Sequence, residues 1–154
     1  DRLISIIEKY KVSPSLINLE ITETASIHTR TVLESNMKKL IEYGFTFSLD
    51  DFGKGESNLM YMVQMPVSIV KLDYDMSKAF FNSDKARHVV RAVVNMAHKM
   101  NMKLVAEGIE TKYEMDHISK EGIDYIQGYY YAKPLPQMEF LNFIYGKMKH
   151  TNVG

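Results

Sequence analysis

The sequence predicts an α/β fold built from parallel strands that are joined by helical crossovers. Strand-like apolar segments alternate with helical segments five times along the 154 residues. Each strand-like segment has a polar or charged residue as its last or next-to-last residue. Strands that are joined through helices run parallel and need helices on their faces, so this alternation favours a parallel sheet.

The composition limits the classes of function. Basic and acidic residues balance at 19 each, so there is no overall basic field to attract a nucleic-acid polymer. Cysteine is absent, which excludes disulfides and thiolate metal sites. No apolar run reaches the length of a membrane span. We therefore expect a cytoplasmic location and no membrane contact by this segment, although a parent protein could carry an anchor.

Five segments have the pattern of strands: residues 16–21, 45–50, 68–73, 103–107 and 123–127. In the second segment Phe45, Phe47 and Leu49 alternate with polar residues, so Asp50 continues the polar face. Asp51 stands where this strand gives way to a loop. Two adjacent carboxylates repel each other unless a cation neutralises them, so the pair is a candidate seat for Mg²⁺ or Mn²⁺.

Helical periodicity predicts helices over residues 1–11, 29–43, 58–64, 84–100 and 137–148, and another that begins after Thr111. Thr111 and Glu114 have the spacing of a capping box, and Gly122 ends that helix. Both an open doubly wound sheet and a (β/α)₈ barrel fit this order of elements. A barrel usually needs about 250 residues, so this chain would supply about five of its eight units.

The strand ends carry the residues with chemical potential. In chain order they are Glu20, Asp50 and Asp51, Lys71 and Asp73, Glu107, and Gln127. The carboxyl ends of parallel strands lie on one rim, where active sites of α/β folds are built. Carboxylate oxygens with an inward lysine describe a metal-assisted attack of water on a phosphate ester.

Several of these residues have a simpler explanation. Asp and Gly are ordinary turn residues, so the Asp50–Asp51 pair fits a capped turn. Lys71 fits a structural counter-ion to Asp50. Asp51-Phe52-Gly53 matches a kinase triplet, but no His-Arg-Asp precedes it. The five histidines lack the spacing of metal ligands, and the tyrosines at 129–131 fit packing as well as base stacking.

Five motifs in order resemble the C-terminal part of an EAL domain, the bacterial phosphodiesterase that opens cyclic di-GMP. They are Leu19-Glu20-Ile21-Thr22-Glu23-Thr24, Leu49-Asp50-Asp51-Phe52-Gly53-Lys54-Gly55, Val70-Lys71-Leu72-Asp73 after Met65-Pro66, Val105-Ala106-Glu107-Gly108-Ile109-Glu110-Thr111, and Gln127-Gly128-Tyr129 followed by Lys133-Pro134-Leu135-Pro136. The resemblance spans nearly the whole chain. It implies a TIM-like barrel, of which residues 1–150 form a part and residues 151–154 a tail.

The resemblance also implies a set of roles. A two-metal site for Mg²⁺ or Mn²⁺ would hydrolyse cyclic di-GMP to linear pGpG. Glu20, Asp50, Asp51 and Glu107 would hold metal, with Glu107 also a candidate base, and Lys71 would orient the attacking water. Gln127, Glu110 and Asp73 would support the site and substrate. Glu23 would brace the loop at 53–57, although it also fits a cap on the helix that follows.

The chain departs from the family in two ways. It contains neither the Glu-Ala-Leu motif nor the Asn ligand of the next strand, and Glu56 stands where an aromatic residue is usual. We therefore expect this segment to be inactive alone and to pair with the missing N-terminal segment or with another copy, because five strands leave two open edges. The alternative function is an inactive EAL module that acts as a cyclic di-GMP receptor or a protein-interaction domain.

Overall fold

Among the residues that the structure describes, five parallel strands form one sheet, and their order across the sheet is their order in the chain. The computed structural model describes residues 2–22, 30–54 and 59–151. The strands are β1 (Asn18–Thr22), β2 (Thr46–Phe52), β3 (Ile69–Leu72), β4 (Lys103–Ala106) and β5 (Tyr125–Ile126). A doubly wound sheet reverses its strand order at a switch point, whereas a barrel adds each strand beside the previous one. The observed order is that of barrel units.

Helices connect the strands. They are α1 (Arg2–Tyr10), α2 (Arg30–Tyr43), α3 (Leu59–Gln64), α4 (Tyr74–Asn82), α5 (Asp84–Lys99), α6 (Lys112–Ile118) and α7 (Gln137–Thr151). Short 3₁₀ turns occupy Pro14–Leu16 and Ser119–Glu121. The predicted capping box is present, because the Thr111 hydroxyl accepts from the Glu114 amide and the Glu114 carboxylate accepts from the Thr111 amide.

Helix α4 was not predicted from the sequence. It begins at once after β3, where the Asp73 carboxylate accepts hydrogen bonds from the amides of Asp75 and Met76. Ser83 ends α4 and its hydroxyl accepts from the Ala86 amide, so it also starts α5. The β3–β4 crossover thus consists of two helices, which pack on each other, where the sequence indicated one.

The core lies between the sheet and its helices. The strand residues that are buried in it are Phe47, Leu49, Phe52, Val70, Leu72, Leu104 and Ala106. Full burial of a valine, leucine or phenylalanine side chain contributes about 1.5–3 kcal/mol to the stability of the fold. The other face of the sheet carries Ser48 and Lys71, which are also buried. That second face corresponds to the inside of a barrel.

Helical periodicity predicts inward positions for five residues that the structure leaves exposed. Val32 and Ile41 of α2 are 61% and 38% exposed, Val89 of α5 is 50% exposed, and Phe140 and Tyr145 of α7 are 50% and 60% exposed. On α5 the buried stripe is Val90, Val93, Val94 and Ala97, and Val89 lies at its margin. None of the helices within the described ranges is long and apolar enough to cross a lipid bilayer.

Candidate active site

The ammonium group of Lys71 is the centre of the site. Its Nζ lies 2.7 Å from Oε1 of Glu20, 2.9 Å from Oδ1 of Asp50 and 2.8 Å from Oε1 of Glu107. The carboxylates come from β1, from β2 and from the residue that follows β4, while Lys71 lies on β3 between them. An ammonium has three donors, and here each one meets a carboxylate. The predicted convergence of these four residues is confirmed as geometry.

Burial and charge oppose each other at Lys71. The Lys71 side chain is only 8% exposed, and burial by itself lowers the pKa of a lysine. The hydrogen bonds that Lys71 donates to Glu107, Glu20 and Asp50 outweigh this effect and raise the pKa of Lys71 above its ordinary value. Lys71 therefore stays protonated at neutral pH and acts as a donor and a positive charge, not as a base.

A β-bulge places the two aspartates. Leu49 pairs with Val70 and Phe52 pairs with Leu72. Between these two pairs β2 contains one more residue than β3, which is a β-bulge. Because of this extra residue, Leu49 and Phe52 are both buried in the core although three positions separate them. Asp50 then reaches Lys71. The sequence predicted a loop at Asp51, whereas the structure continues the strand to Phe52.

Asp51 lies within the bulge and has a left-handed backbone with φ of 56°. Residues other than glycine pay for this conformation, and aspartate is among the few that tolerate it. Its Oδ1 accepts a hydrogen bond from Lys54 at 3.1 Å, and its side chain is 35% exposed. Asp51 thus lies next to the Lys71 cluster but contacts a different lysine. Its role as a metal ligand stays a prediction.

A small cavity continues the site along the ends of β4 and β5. It measures about 250 Å³ and is lined by Tyr74, Glu107, Gly108, Glu110, Gln127, Gly128 and Tyr129. The predicted residues Glu110 and Gln127 are therefore brought together with Glu107. The backbone holds this wall, since Gln127 donates to the carbonyl of Ala106 and accepts from the amide of Ile109.

Two glycines allow the wall to close. A Cβ on Gly128 would stand 2.0 Å from the carbonyl oxygen of Ile109, so no side chain fits there. A Cβ on Gly108, whose φ is 71°, would stand 2.3 Å from the ring of Tyr74. The Tyr74 ring therefore covers the Gly108 backbone directly beside Glu107. Sequence reasoning missed Tyr74, since the helix that it starts was not predicted.

Asp73 is buried and its carboxylate is used to begin α4. The structure therefore gives it a structural task at the end of β3, two residues after Lys71. Glu23 and Glu56 lie outside the described residues, as do Gly55 and Ser57 of the predicted loop. Their proposed roles stay predictions.

A polar layer adjoins Glu20 and Asp50 on the same face of the sheet. The Ser48 hydroxyl donates to Oδ1 of Asn18 at 2.7 Å, and the Asn18 amide donates to the Thr46 hydroxyl at 3.0 Å. Asn18 is in register with Thr46, and Ser48 is in register with Glu20. The sequence signal for this layer was the alternation that put Thr46 and Ser48 on the face of Asp50.

The donor set fits a divalent cation in chemistry and charge. Three carboxylates and one ammonium leave the cluster of Glu20, Asp50, Glu107 and Lys71 with a formal charge of −2. Hard carboxylate oxygens are the ligands that Mg²⁺ and Mn²⁺ prefer. In the parts of the chain that the structure describes, no three His, Cys, Asp or Glu side chains surround a common metal position, because Lys71 occupies the point of convergence.

Comparison with known proteins gives consistent relatives. The probable cyclic di-GMP phosphodiesterase PdeB of Escherichia coli is 35% identical over 138 residues, which is 90% of this chain and 26% of PdeB. The signaling protein YkoW of Bacillus subtilis is 30% identical over 142 residues, 90% of this chain and 17% of YkoW. The chain thus spans about a quarter or less of the length of these relatives.

A solved structure resembles the fold closely. The EAL enzyme Bd1971, in its form bound to cAMP and cyclic di-GMP, superposes with a TM-score of 0.87 at 32% identity and covers 92% of this chain and 38% of Bd1971. EAL domains are TIM-like barrels, so the predicted fold class is confirmed. The EAL domain family model matches residues 1–134. The chain belongs to the EAL domain family.

Proposed function

We propose that this chain carries part of the active site of a cyclic di-GMP phosphodiesterase that produces linear pGpG with Mg²⁺ or Mn²⁺. The observation that carries the proposal is the convergence of Glu20, Asp50 and Glu107 on Lys71 at the ends of neighbouring parallel strands. The name of PdeB and the cyclic di-GMP bound to Bd1971 support the choice of substrate.

In this proposal the carboxylates divide the work. Glu20, Asp50, Asp51 and Glu107 would hold divalent cations, which when bound neutralise phosphate charge and acidify a water molecule. Lys71 contacts Oε1 of Glu107 at 2.8 Å, and we assign Oε2 of Glu107 to the metal or to the proton of the attacking water. Lys71 itself keeps its proton. It would orient the nucleophile with the N–H group that becomes free when one of the three carboxylates turns to a metal.

The cavity beside Glu107 provides the surface that contacts the substrate. Tyr74 and Tyr129 offer aromatic surface, while Glu110 and Gln127 offer polar groups that hydrogen-bond. A cavity of about 250 Å³ is smaller than a typical pocket for a drug-sized ligand. We therefore propose that it takes one end of the cyclic dinucleotide and that the rest of the ligand lies over the Lys71 cluster.

The remaining wall of the barrel has to come from elsewhere. Among the described strands, β1 and β5 form the two edges of the sheet. Leu16 before β1 is 80% exposed, and Tyr125 of β5 is 55% exposed. We propose that residues 1–150 form part of a barrel that is closed by further β/α units or by a second copy, because open edges with apolar flanks favour pairing.

Hydrolysis by the intact protein tests the proposal. We expect cyclic di-GMP to be converted to pGpG with Mn²⁺ or Mg²⁺ and not in EDTA, with the product identified by chromatography. Glu107→Gln should abolish turnover, whereas Lys112→Ala, an exposed change on α6, should preserve it. Equal turnover by Glu107→Gln and by the unchanged protein would overturn the assignment.

The alternative is a module that binds cyclic di-GMP without cleaving it. A parent protein without the Glu-Ala-Leu glutamate, which completes the metal site of the family, or a loop disabled by Glu56, would favour it. Saturable binding of cyclic di-GMP without pGpG formation, under any divalent cation, would favour this alternative. It would leave the substrate class of the proposal intact and remove only the reaction.

A further inference from the structure

The helical layer contains a second cavity, away from the strand-end site. It measures about 270 Å³ and is lined by Phe80, Phe81, Arg87, Arg91, Tyr113, His117, Lys120 and Glu121. These residues belong to the second half of α4, the first half of α5, α6 and the 3₁₀ turn after it. The cavity shares no lining residue with the one beside Glu107.

One side of this helical-layer cavity is aromatic. The rings of Tyr113 and His117 lie 4.0 Å apart with an angle of 34° between their planes, and Phe81 lies 6.2 Å from Tyr113. Nδ1 of His117 is 2.7 Å from the Tyr113 carbonyl, which can only accept, so Nδ1 carries the proton. That bond fixes the ring. Tyr113 is 62% exposed, so its ring is available to a planar ligand.

The other side is cationic. Arg91 donates through Nε and Nη2 to both oxygens of Glu121, and Arg87 donates to Asp84. With Lys120, which is exposed, these five groups carry three positive and two negative formal charges, a net of +1. A guanidinium has five N–H donors, so both arginines retain donors after these contacts. Such donors suit a carboxylate or a phosphate.

The arginines are also held in place. Nε of Arg87 donates to the carbonyl of Phe80 at 3.4 Å, and its guanidinium carbon lies 5.7 Å from the Phe80 ring. The two-point contact between Arg91 and Glu121 fixes the second guanidinium. A site whose cations are positioned before binding loses less side-chain entropy when a ligand arrives.

We propose that this helical-layer cavity binds a small planar aromatic anion, one ring system with a single carboxylate or phosphate group. The ring stacks on Tyr113 and His117, and the anionic group accepts from Arg87, Arg91 and Lys120. The volume suits one such unit and is too small to enclose an intact cyclic dinucleotide. The site is separate from the proposed phosphodiesterase centre and does not depend on it.

Calorimetric titration of the intact protein tests this with four probes: guanosine 5′-monophosphate, salicylate, guanosine and inorganic phosphate. At least one of the two ring anions should bind, and whichever binds identifies phosphate or carboxylate as the preferred group. Guanosine and inorganic phosphate should each bind about tenfold more weakly than that ring anion, because each lacks one of the two contacts. No binding of either ring anion, or equal affinity for inorganic phosphate, would overturn the proposal.

Variants place the bound probe. Arg87→Gln and Tyr113→Leu should each lower the affinity for the ring anion about tenfold. Lys112→Ala, on the same helix as Tyr113, is the matched control. Glu107→Gln tests whether the probe binds at the strand-end site instead. Both variants should bind the ring anion with unchanged affinity. If Arg87→Gln lowers the unfolding temperature, the exposed change Lys120→Ala replaces it, with an expected loss of about threefold. Unchanged affinity in Tyr113→Leu together with either cation variant would contradict the assignment.

Discussion

Nζ of Lys71 on β3 lies 2.8 Å from Oε1 of Glu107, the first residue after β4. With this contact, acidic groups from three strands meet the lysine of a fourth, because the same nitrogen also contacts Glu20 and Asp50. The lysine keeps the carboxylates close together and supplies the positive charge that such an acidic cluster needs. Preorganisation of the site therefore depends on it.

Lys71→Met should destabilise the protein by about 3 kcal/mol, since removal of one partner from a buried ionic network leaves charges uncompensated. Urea unfolding measures this. Millimolar Mg²⁺ should restore more stability to Lys71→Met than to the unchanged protein, because the cation replaces the missing charge. Lys78→Met, which breaks the 2.5 Å pair with Glu114, is the control and should gain nothing from Mg²⁺. An equal Mg²⁺ response in both variants would refute this role for Lys71.

Gly128→Ala should cost about 3 kcal/mol or more, because the new Cβ would stand 2.0 Å and 2.4 Å from backbone atoms of Ile109. Those atoms belong to the wall of the cavity beside Glu107 and cannot move as a side-chain end can. Gly146→Ala is the matched control. It meets nothing within 4 Å and lies inside α7, so it should stabilise by about 0.5–1 kcal/mol. Thermal unfolding of both variants measures the contrast, and similar effects of the two changes would contradict the packing described.

Asp51→Asn separates backbone strain from charge. Asparagine tolerates a φ of 56°, so the fold should keep its stability within about 0.5 kcal/mol. The change removes a carboxylate charge, so the affinity for Mn²⁺ should fall about tenfold or more, and metal-dependent turnover with it. Asp51→Ala should instead lose stability, since alanine does not tolerate this backbone. Unaltered Mn²⁺ affinity in Asp51→Asn would remove Asp51 from the ligand set.

Asp124 gives a pH dependence that is distinct from the active site. Burial raises its pKa, but hydrogen bonds from Lys103, the Leu104 amide and His98 lower it further, from 3.8 to about 2. A depressed folded pKa contributes stability that is present above about pH 4 and is lost as the pH falls through about 2. The contribution is about 2 kcal/mol.

Asp124→Asn should therefore be less stable than the unchanged protein by about 2 kcal/mol at neutral pH, and this difference should shrink between about pH 4 and pH 2. Urea unfolding of the two proteins across this range measures it. A difference that stays constant with pH would mean that the ion pairs of Asp124 do not stabilise the fold.

The sequence predicted the alternation of strands and helices because apolar spacing reports directly on buried faces. It also predicted the meeting of Glu20, Asp50, Lys71 and Glu107, since strand ends of a parallel sheet share one rim. The order of strands, which distinguishes a barrel from an open sheet, came only from the coordinates and from the family resemblance. Pairing order depends on contacts between distant segments, which periodicity does not record.

The bulge and helix α4 show where local patterns are insufficient. Leu49 and Phe52 are separated by three positions, and this spacing is the sequence signal of the extra residue in β2. The same spacing is expected where a strand ends. Helix α4 was missed for a related reason. Asp73 was interpreted as a site residue, whereas its carboxylate caps the helix. The adjacent Phe80 and Phe81 differ in burial. Val89 was predicted to face inward because it is apolar and adjoins the buried stripe of α5. The apolar residues of this helix cover a wider arc than the residues that are buried.

Anomalous scattering from crystals of the intact protein grown with Mn²⁺ and cyclic di-GMP tests the central claim most directly. The claim is that acidic groups from separate strands form one cation-binding site at the strand ends. We expect Mn²⁺ peaks bounded by Glu20, Asp50, Asp51 and Glu107, with a phosphate of the ligand against them. Peaks bound elsewhere, or a ligand phosphate with no Mn²⁺ at these carboxylates, would contradict it.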